Sequence, residues 1–169
     1  MKNMIILCAI FPILLSCKFK YEEKSIPKEE NQISIFPDQQ GLVNDYEDIF
    51  TSKQRLELNK ILVNFKDGQG KEIIIATVTN TDNYVDFEKY THELGINWMI
   101  GKNTSGKTVL IVISKSRRKL GTSMATGISS ELEDKMIKEI SEVVIPELKK
   151  NNFYEGIENG SLKLISIWQ

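Results

Sequence analysis

The chemistry open to this chain is bounded by a short inventory of reactive groups. Cysteine stands only at positions 8 and 17, so the chain after residue 17 has no disulfide, zinc site or cysteine nucleophile to draw on. The sole histidine, His92, falls off the apolar stripe Phe87, Tyr90, Leu94 and reads as an exposed helix position rather than a catalytic base. No glycine-rich phosphate loop, serine elbow or phosphatase-type cysteine is present. Carboxylates and guanidiniums remain. Asp45, at the mouth of a sheet, can supply one of the several oxygens that a hard cation needs, and it can equally be a turn or helix-entry aspartate that caps local backbone. Glu131, Glu133 and Asp134 stand where a long helix begins, and the positive end of a helix favours carboxylates there in any case. Arg117 and Arg118 offer forked donors for a phosphate, although holding an anion is not hydrolysing it.

Cys17 belongs to another chemistry. Residues 1–16 carry one basic residue, Lys2, and then an apolar stretch from Met4 to Leu15. A dozen apolar residues fall short of a bilayer of roughly 30 Å but match a signal-peptide core. Leu14-Leu15-Ser16-Cys17 resembles the bacterial lipobox, in which the cysteine thiol forms a thioether to diacylglycerol before cleavage. The expectation is a lipoprotein signal peptide over 1–16, followed by a lipidated Cys17 and a flexible tether over 17–40, rich in Lys, Glu, Gln and Pro. Acyl chains, palmitate among them, contribute about 0.8 kcal/mol per buried methylene and together make a lasting anchor. Such a protein is extracytoplasmic and lipid-anchored to a bacterial membrane, in the periplasm or at the outer membrane or cell surface.

The elements that must position the candidate residues lie in one domain, 41–169. Of the 169 residues, 41% are hydrophobic and 27% charged, as a self-supporting core requires. The net charge of −1 gives no nucleic-acid footprint; Lys115, Arg117, Arg118 and Lys119 read as a solvated hairpin. Thr51 and Gln54 form a capping-box spacing before Leu58, Ile61, Leu62 and Phe65, which predicts a helix over 52–66 ended by Gly68 and Gly70. Glu72–Thr79 is a β-branched run suited to a strand covered on both faces, followed by a polar turn at 80–83. The stripe Phe87, Tyr90, Leu94, Trp98 predicts a crossover helix, and Thr108–Ser114 a second parallel strand. Lys119–Thr126 then returns as an antiparallel strand. Ser130 and Glu133 form a second capping-box spacing for a helix bearing Leu132, Met136, Ile140, Val143 and Val144, which Pro146 should kink or end near Val144 or Ile145. A last helix, roughly 154–168, buries Ile157, Leu164, Ile165 and Trp168. The sum is a three-layer α/β/α sandwich on a small mixed β-sheet.

This order of segments resembles the TPM domain. The residues that carry the resemblance are Val43-Asn44-Asp45, Trp98-Met99-Ile100-Gly101, Arg117-Arg118-Lys119 and Asn152-Phe153-Tyr154-Glu155-Gly156-Ile157, over residues 42–168. The resemblance implies an extracytoplasmic module of bacterial secreted or membrane proteins, also found in a thylakoid-lumen protein of photosystem repair. It further implies, for some members, acid phosphatase activity and a Ca2+ or similar divalent-cation site built from loop carboxylates, onto which Asp45 and Asp134 align. Two departures bear on that site: Thr104-Ser105-Gly106-Lys107 stands where the family has an Asn-Asp-Gly-type turn, and Ser116-Arg117 where it has Asp-Arg. Serine replaces two candidate ligands, and Lys107 repels a cation. The expectation is therefore a binding or assembly module with an envelope-protein partner and a degenerate metal site. The alternative is a phosphatase dependent on Ca2+ or Mg2+, with Asp45 and Asp134 on the metal and Arg118 on phosphate. Nothing in the sequence signals an oligomeric state.

Overall fold

The computed structural model describes residues 35–79, 81 and 84–169; the leader, Cys17 and most of the tether lie outside the described residues, as does most of the polar turn at 80–83. The elements run β1 (Val43–Asp45), α1 (Ser52–Gln69), β2 (Glu72–Thr77), α2 (Phe87–Asn97), β3 (Thr108–Ser114), β4 (Lys119–Met124), α3 (Ser130–Lys149) and α4 (Phe153–Ile167). The expected mixed α/β sandwich is what forms.

Local signals explain most boundaries. At Thr51 the capping box closes in both directions, the side chain accepting from Gln54 N–H while Gln54 accepts from Thr51 N–H at 2.8 Å. α1 runs through Gly68 and stops at Gly70, whose φ of 62° is left-handed and whose N–H donates to the Lys66 carbonyl at 2.8 Å. α2 begins at Asp86, which accepts from the N–H groups of Glu88 and Lys89. α3 is capped by Ser129, one residue before the serine that the spacing suggested. Pro146 does not end α3, which continues to Lys149. The ring sits on the exposed face, and the carbonyl that loses its partner belongs to exposed Glu142, where water can replace the bond. Val144 and Leu148, on either side of the proline, are buried, and their packing holds the last turn.

The sheet order is β1-β2-β3-β4, with β1, β2 and β3 parallel and β4 antiparallel to β3. β1 is an edge strand of three residues that the sequence pattern did not mark. All seven residues of β3 are buried. Side chains of paired residues share a face, so Leu110 and Val112 point with Ala76 and Gly121, and Val109, Ile111 and Ile113 point with Ile73, Ile75 and Thr77. A Cβ at Gly121 would stand 2.2 Å from Thr91 Oγ1 of α2, which places α2 directly over the first face. The other three helices form one layer on the opposite face. Tyr154 of α4 donates to Glu57 of α1 at 3.1 Å, and Lys163 of α4 pairs with Glu139 of α3 at 2.8 Å.

Residues 35–40, expected to be tether, are docked on the domain. Phe36 packs on Tyr84 and Tyr90 at 6.0 and 5.4 Å between ring centres, and Trp98 Nε1–H donates to the Pro37 carbonyl at 2.7 Å. An aromatic group and a buried indole donor require this contact, which composition alone does not reveal.

The α3–α4 seam is tight at Gly160, where a Cβ would stand 2.5 Å from Val144 Cγ2. Gly160→Ala should therefore destabilise the fold by about 1–3 kcal/mol despite alanine's better helix propensity. Urea denaturation of the single variants and of Gly160→Ala with Val144→Ala should show the pair to be non-additive, the smaller partner relieving the clash. An additive pair would place the strain elsewhere.

Candidate functional site

The carboxyl ends of parallel strands are where α/β sheets ordinarily gather ligand-binding groups. Here those ends are Asp45 of β1, Thr77 of β2 and Ser114 of β3. Asp45 pairs with Thr77, so both side chains rise on the α1 side of the sheet.

The Asp45 side chain is 1% exposed and accepts four hydrogen bonds. Oδ1 takes Ile49 N–H at 3.1 Å and the Thr77 hydroxyl at 2.7 Å. Oδ2 takes Phe50 N–H at 2.9 Å and Arg55 at 3.1 Å. Arg55 is half-exposed and also donates to Asp48 at 2.8 Å and to the Phe50 carbonyl at 2.7 Å. This is the backbone-capping role that the sequence left open for Asp45, reinforced by a cation. Position alone gives no signal for Arg55 or Thr77, because both reach Asp45 only after β1, β2 and α1 have assembled.

Glu47 continues the cluster. Its own N–H donates to Thr77 Oγ1 at 2.8 Å, and its carboxylate accepts Lys115 N–H at 2.7 Å and Ser116 N–H at 3.4 Å, bracing the turn after β3. Burial pushes the Glu47 carboxyl above the usual carboxylate range, and the two amides oppose that shift. Arg117, one of the two candidate phosphate holders, is turned inward. It donates to the Thr81 hydroxyl, the Tyr84 carbonyl and the Val85 carbonyl, each at 2.9 Å, and lies 5.7 Å from the Phe87 ring centre.

The other candidates lie elsewhere. Asp134 is exposed, one turn into α3. The segment leading to α3 is bonded to the start of β3, through Ala125 N–H to the Thr108 carbonyl at 2.9 Å and Gly127 N–H to the Gly106 carbonyl at 3.0 Å. Asp45, through Thr77, aligns with Ile113 near the other end of that strand. The two carboxylates therefore stand at opposite ends of the sheet and do not converge. Arg118 lies exposed in the β3–β4 turn and lines a cavity of about 380 Å³ between α2 and α3. His92 is exposed, as expected. The loop that departs from the family pattern is fastened to the start of the sheet, Thr104 and Thr108 sharing a hydroxyl hydrogen bond at 2.7 Å and Glu72 N–H donating to the Lys107 carbonyl at 2.9 Å.

A Ca2+ or Mg2+ ion needs several unshared oxygens around one point. The lone pairs of Asp45 are occupied, a guanidinium already stands at its Oδ2, and Asp134 is at the far end of the sheet. Among the described residues no three His, Cys, Asp or Glu side chains are grouped to hold a metal ion. The residues present do not fit the group.

If Asp45 fastens the fold, Asp45→Ala should destabilise it by about 3 kcal/mol, since buried amide donors and a guanidinium lose a charged acceptor. Urea denaturation measures this, and a loss under about 1 kcal/mol would reject the fastening role. A second interior polar group gives the opposite sign. The Tyr90 hydroxyl is buried without a hydrogen-bond partner among the described residues, and burial pushes it up to about 12. Tyr90→Phe should leave stability unchanged or raise it by about 1 kcal/mol in the same assay.

The model of the TPM domain family matches residues 43–167. Three solved structures are similar in fold. The N-terminal domain of a P. gingivalis protein is 20% identical with a TM-score of 0.66, over 75% of this chain and 80% of that one. The N-terminal domain of a Corynebacterium glutamicum protein is 16% identical with a TM-score of 0.61, over 75% and 79%. The BA42 protein of the psychrophile Bizionia argentinensis is 15% identical with a TM-score of 0.64, over 72% and 83%. Among curated proteins no match was found. The family match spans β1 to the end of α4, and with the fold it carries the conclusion that this chain belongs to the TPM domain family.

Proposed function

We propose that the protein is a lipid-anchored, extracytoplasmic TPM-domain protein that serves as a binding or assembly module in a bacterial cell envelope, with an envelope protein as partner. The observation that carries this reading is the closed state of Asp45. The carboxylate that heads the phosphatase alternative is buried, takes four hydrogen bonds and is paired with Arg55. Arg117 is committed to the 81–85 loop, and Asp134 faces solvent at the other end of the sheet. Lipid anchoring is supported by the sequence Leu14-Leu15-Ser16-Cys17 after an apolar leader. Among the described residues no helix is long and apolar enough to cross a membrane.

The test has two arms. The purified protein, given a generic aryl phosphate with millimolar Ca2+ or Mg2+, should show no turnover that Asp45→Asn abolishes, and neither ion should raise its unfolding midpoint. Turnover lost in an Asp45→Asn protein whose unfolding midpoint stays near the parent's would establish the divalent-cation-dependent phosphatase instead, with Asp45 and Asp134 on the metal and Arg118 on phosphate. In cells, Cys17→Ser should move the protein from the membrane fraction to the soluble one. Retention with an uncleaved leader would mean a different anchor.

A further inference from the structure

We infer that the groove between α2 and α3, with the edge of β4 at its base, binds an extended acidic peptide of a partner protein as a fifth strand of the sheet. The inference rests on the binding-module reading and gives that module its docking surface.

The first observation is an open backbone edge. Ala125 N–H donates to the Thr108 carbonyl, and bonded pairs alternate along an antiparallel ladder. The bonded pairs are therefore Leu110 with Ser123, Val112 with Gly121 and Ser114 with Lys119. The N–H and C=O groups of Leu120, Thr122 and Met124 must point away from β3. These residues are half-buried, and their backbone groups have no partner beyond β4 among the described residues. Such a row templates an added strand.

The second observation is charge. At the start of this edge lies the cavity of about 380 Å³, lined by Phe87, Leu120 and Ile145 with Arg118, Lys119 and Lys149. Two carboxylates, Asp86 and Glu88, share the lining, so the three cations leave it one positive charge in excess, and the Asp86 carboxylate is turned to the first N–H groups of α2. A lone lysine would be an ordinary guard against edge-to-edge aggregation. A positive excess beside the apolar side chains of Phe87, Leu120 and Ile145 instead matches a strand that carries acidic and apolar side chains. Arg118 moreover holds φ at 51°, where glycine or asparagine ordinarily stands, so the charge is kept at a conformational cost.

The register supplies a clean test. The Thr122 N–H takes no part in the β3–β4 ladder, so Thr122→Pro removes an outward donor and leaves the sheet paired. The full chain, purified in detergent, would be used to select octapeptides from a random displayed library, and the pool would be mapped by amide chemical shifts. The expected pool is rich in Asp, Glu and β-branched residues, perturbs residues 118–124, and binds at least ten-fold more weakly to Thr122→Pro and to Arg118→Glu, both with unfolding midpoints near the parent's. No enrichment, a pool without acidic bias, or a folded Thr122→Pro that binds like the parent would each overturn the inference. Shifts clustered elsewhere would remove this groove while leaving a binding module. Dimerisation abolished by Thr122→Pro would put a second copy of the chain in the groove and also overturn it.

Discussion

The burial of β3 on both faces is the constraint from which the rest of the architecture follows. Thr108–Ser114 has no residue at the surface, so apolar cover is required above and below it at once. α2 supplies one cover, seated closely because Gly121 leaves room beneath Thr91. The layer of α1, α4 and α3 supplies the other. β2, buried at five of its six positions, shares both covers. What cannot be covered is pushed to the edges, where β1 is only three residues long and β4 alternates exposed or half-buried residues with glycine and serine. The asymmetry between a buried centre and a polar, open β4 is what makes that edge available to another strand.

The carboxyl end of this sheet is the usual place for a ligand, and in this chain its polar groups are turned on one another. Asp45 holds the entry to α1, Glu47 holds the turn after β3, and Arg117 holds the 81–85 loop. Each is a charged group satisfied by backbone or by an opposite charge, which is how charged groups survive partial burial. An ion site calls for the reverse, oxygens held close together with lone pairs unshared. A carboxylate already matched to two amides, a hydroxyl and a guanidinium has no driving force to exchange them for a cation that brings its own desolvation cost.

The parts of this fold that could be read from the sequence are those specified locally. Period and capping residues place α1, the stripe of α2 and both central strands, since these signals act within a few residues. β1 escapes because three residues carry no period, and only its pairing with Ile75, Ala76 and Thr77 makes it a strand. Residues 35–40 escape because a polar, proline-containing stretch looks like tether until Trp98 claims the Pro37 carbonyl. Pro146 misleads because the general penalty for proline in a helix assumes a carbonyl that cannot be solvated, whereas this one lies on an exposed face. At the site, Asp45 was legible as a residue of consequence, but its role was decided by Arg55 and Thr77, which lie 10 and 32 positions away in the chain.

The same distinction separates the two arginines of the β3–β4 turn, which are neighbours in sequence and identical in chemistry. Arg117 faces the 81–85 loop and the Phe87 ring, where three backbone or hydroxyl oxygens and an aromatic face consume its donors. Arg118, one residue on and in a left-handed conformation, stays exposed and lines a cavity with its donors unspent among the described residues. The turn thus divides one dipeptide into a fastener and a free charge. Arg117 keeps the first turn of α2 in position, and that turn forms one wall of the cavity that Arg118 lines. The free charge faces a wall that its neighbour fastens, which limits the ordering entropy that a docking surface must offset when a partner binds.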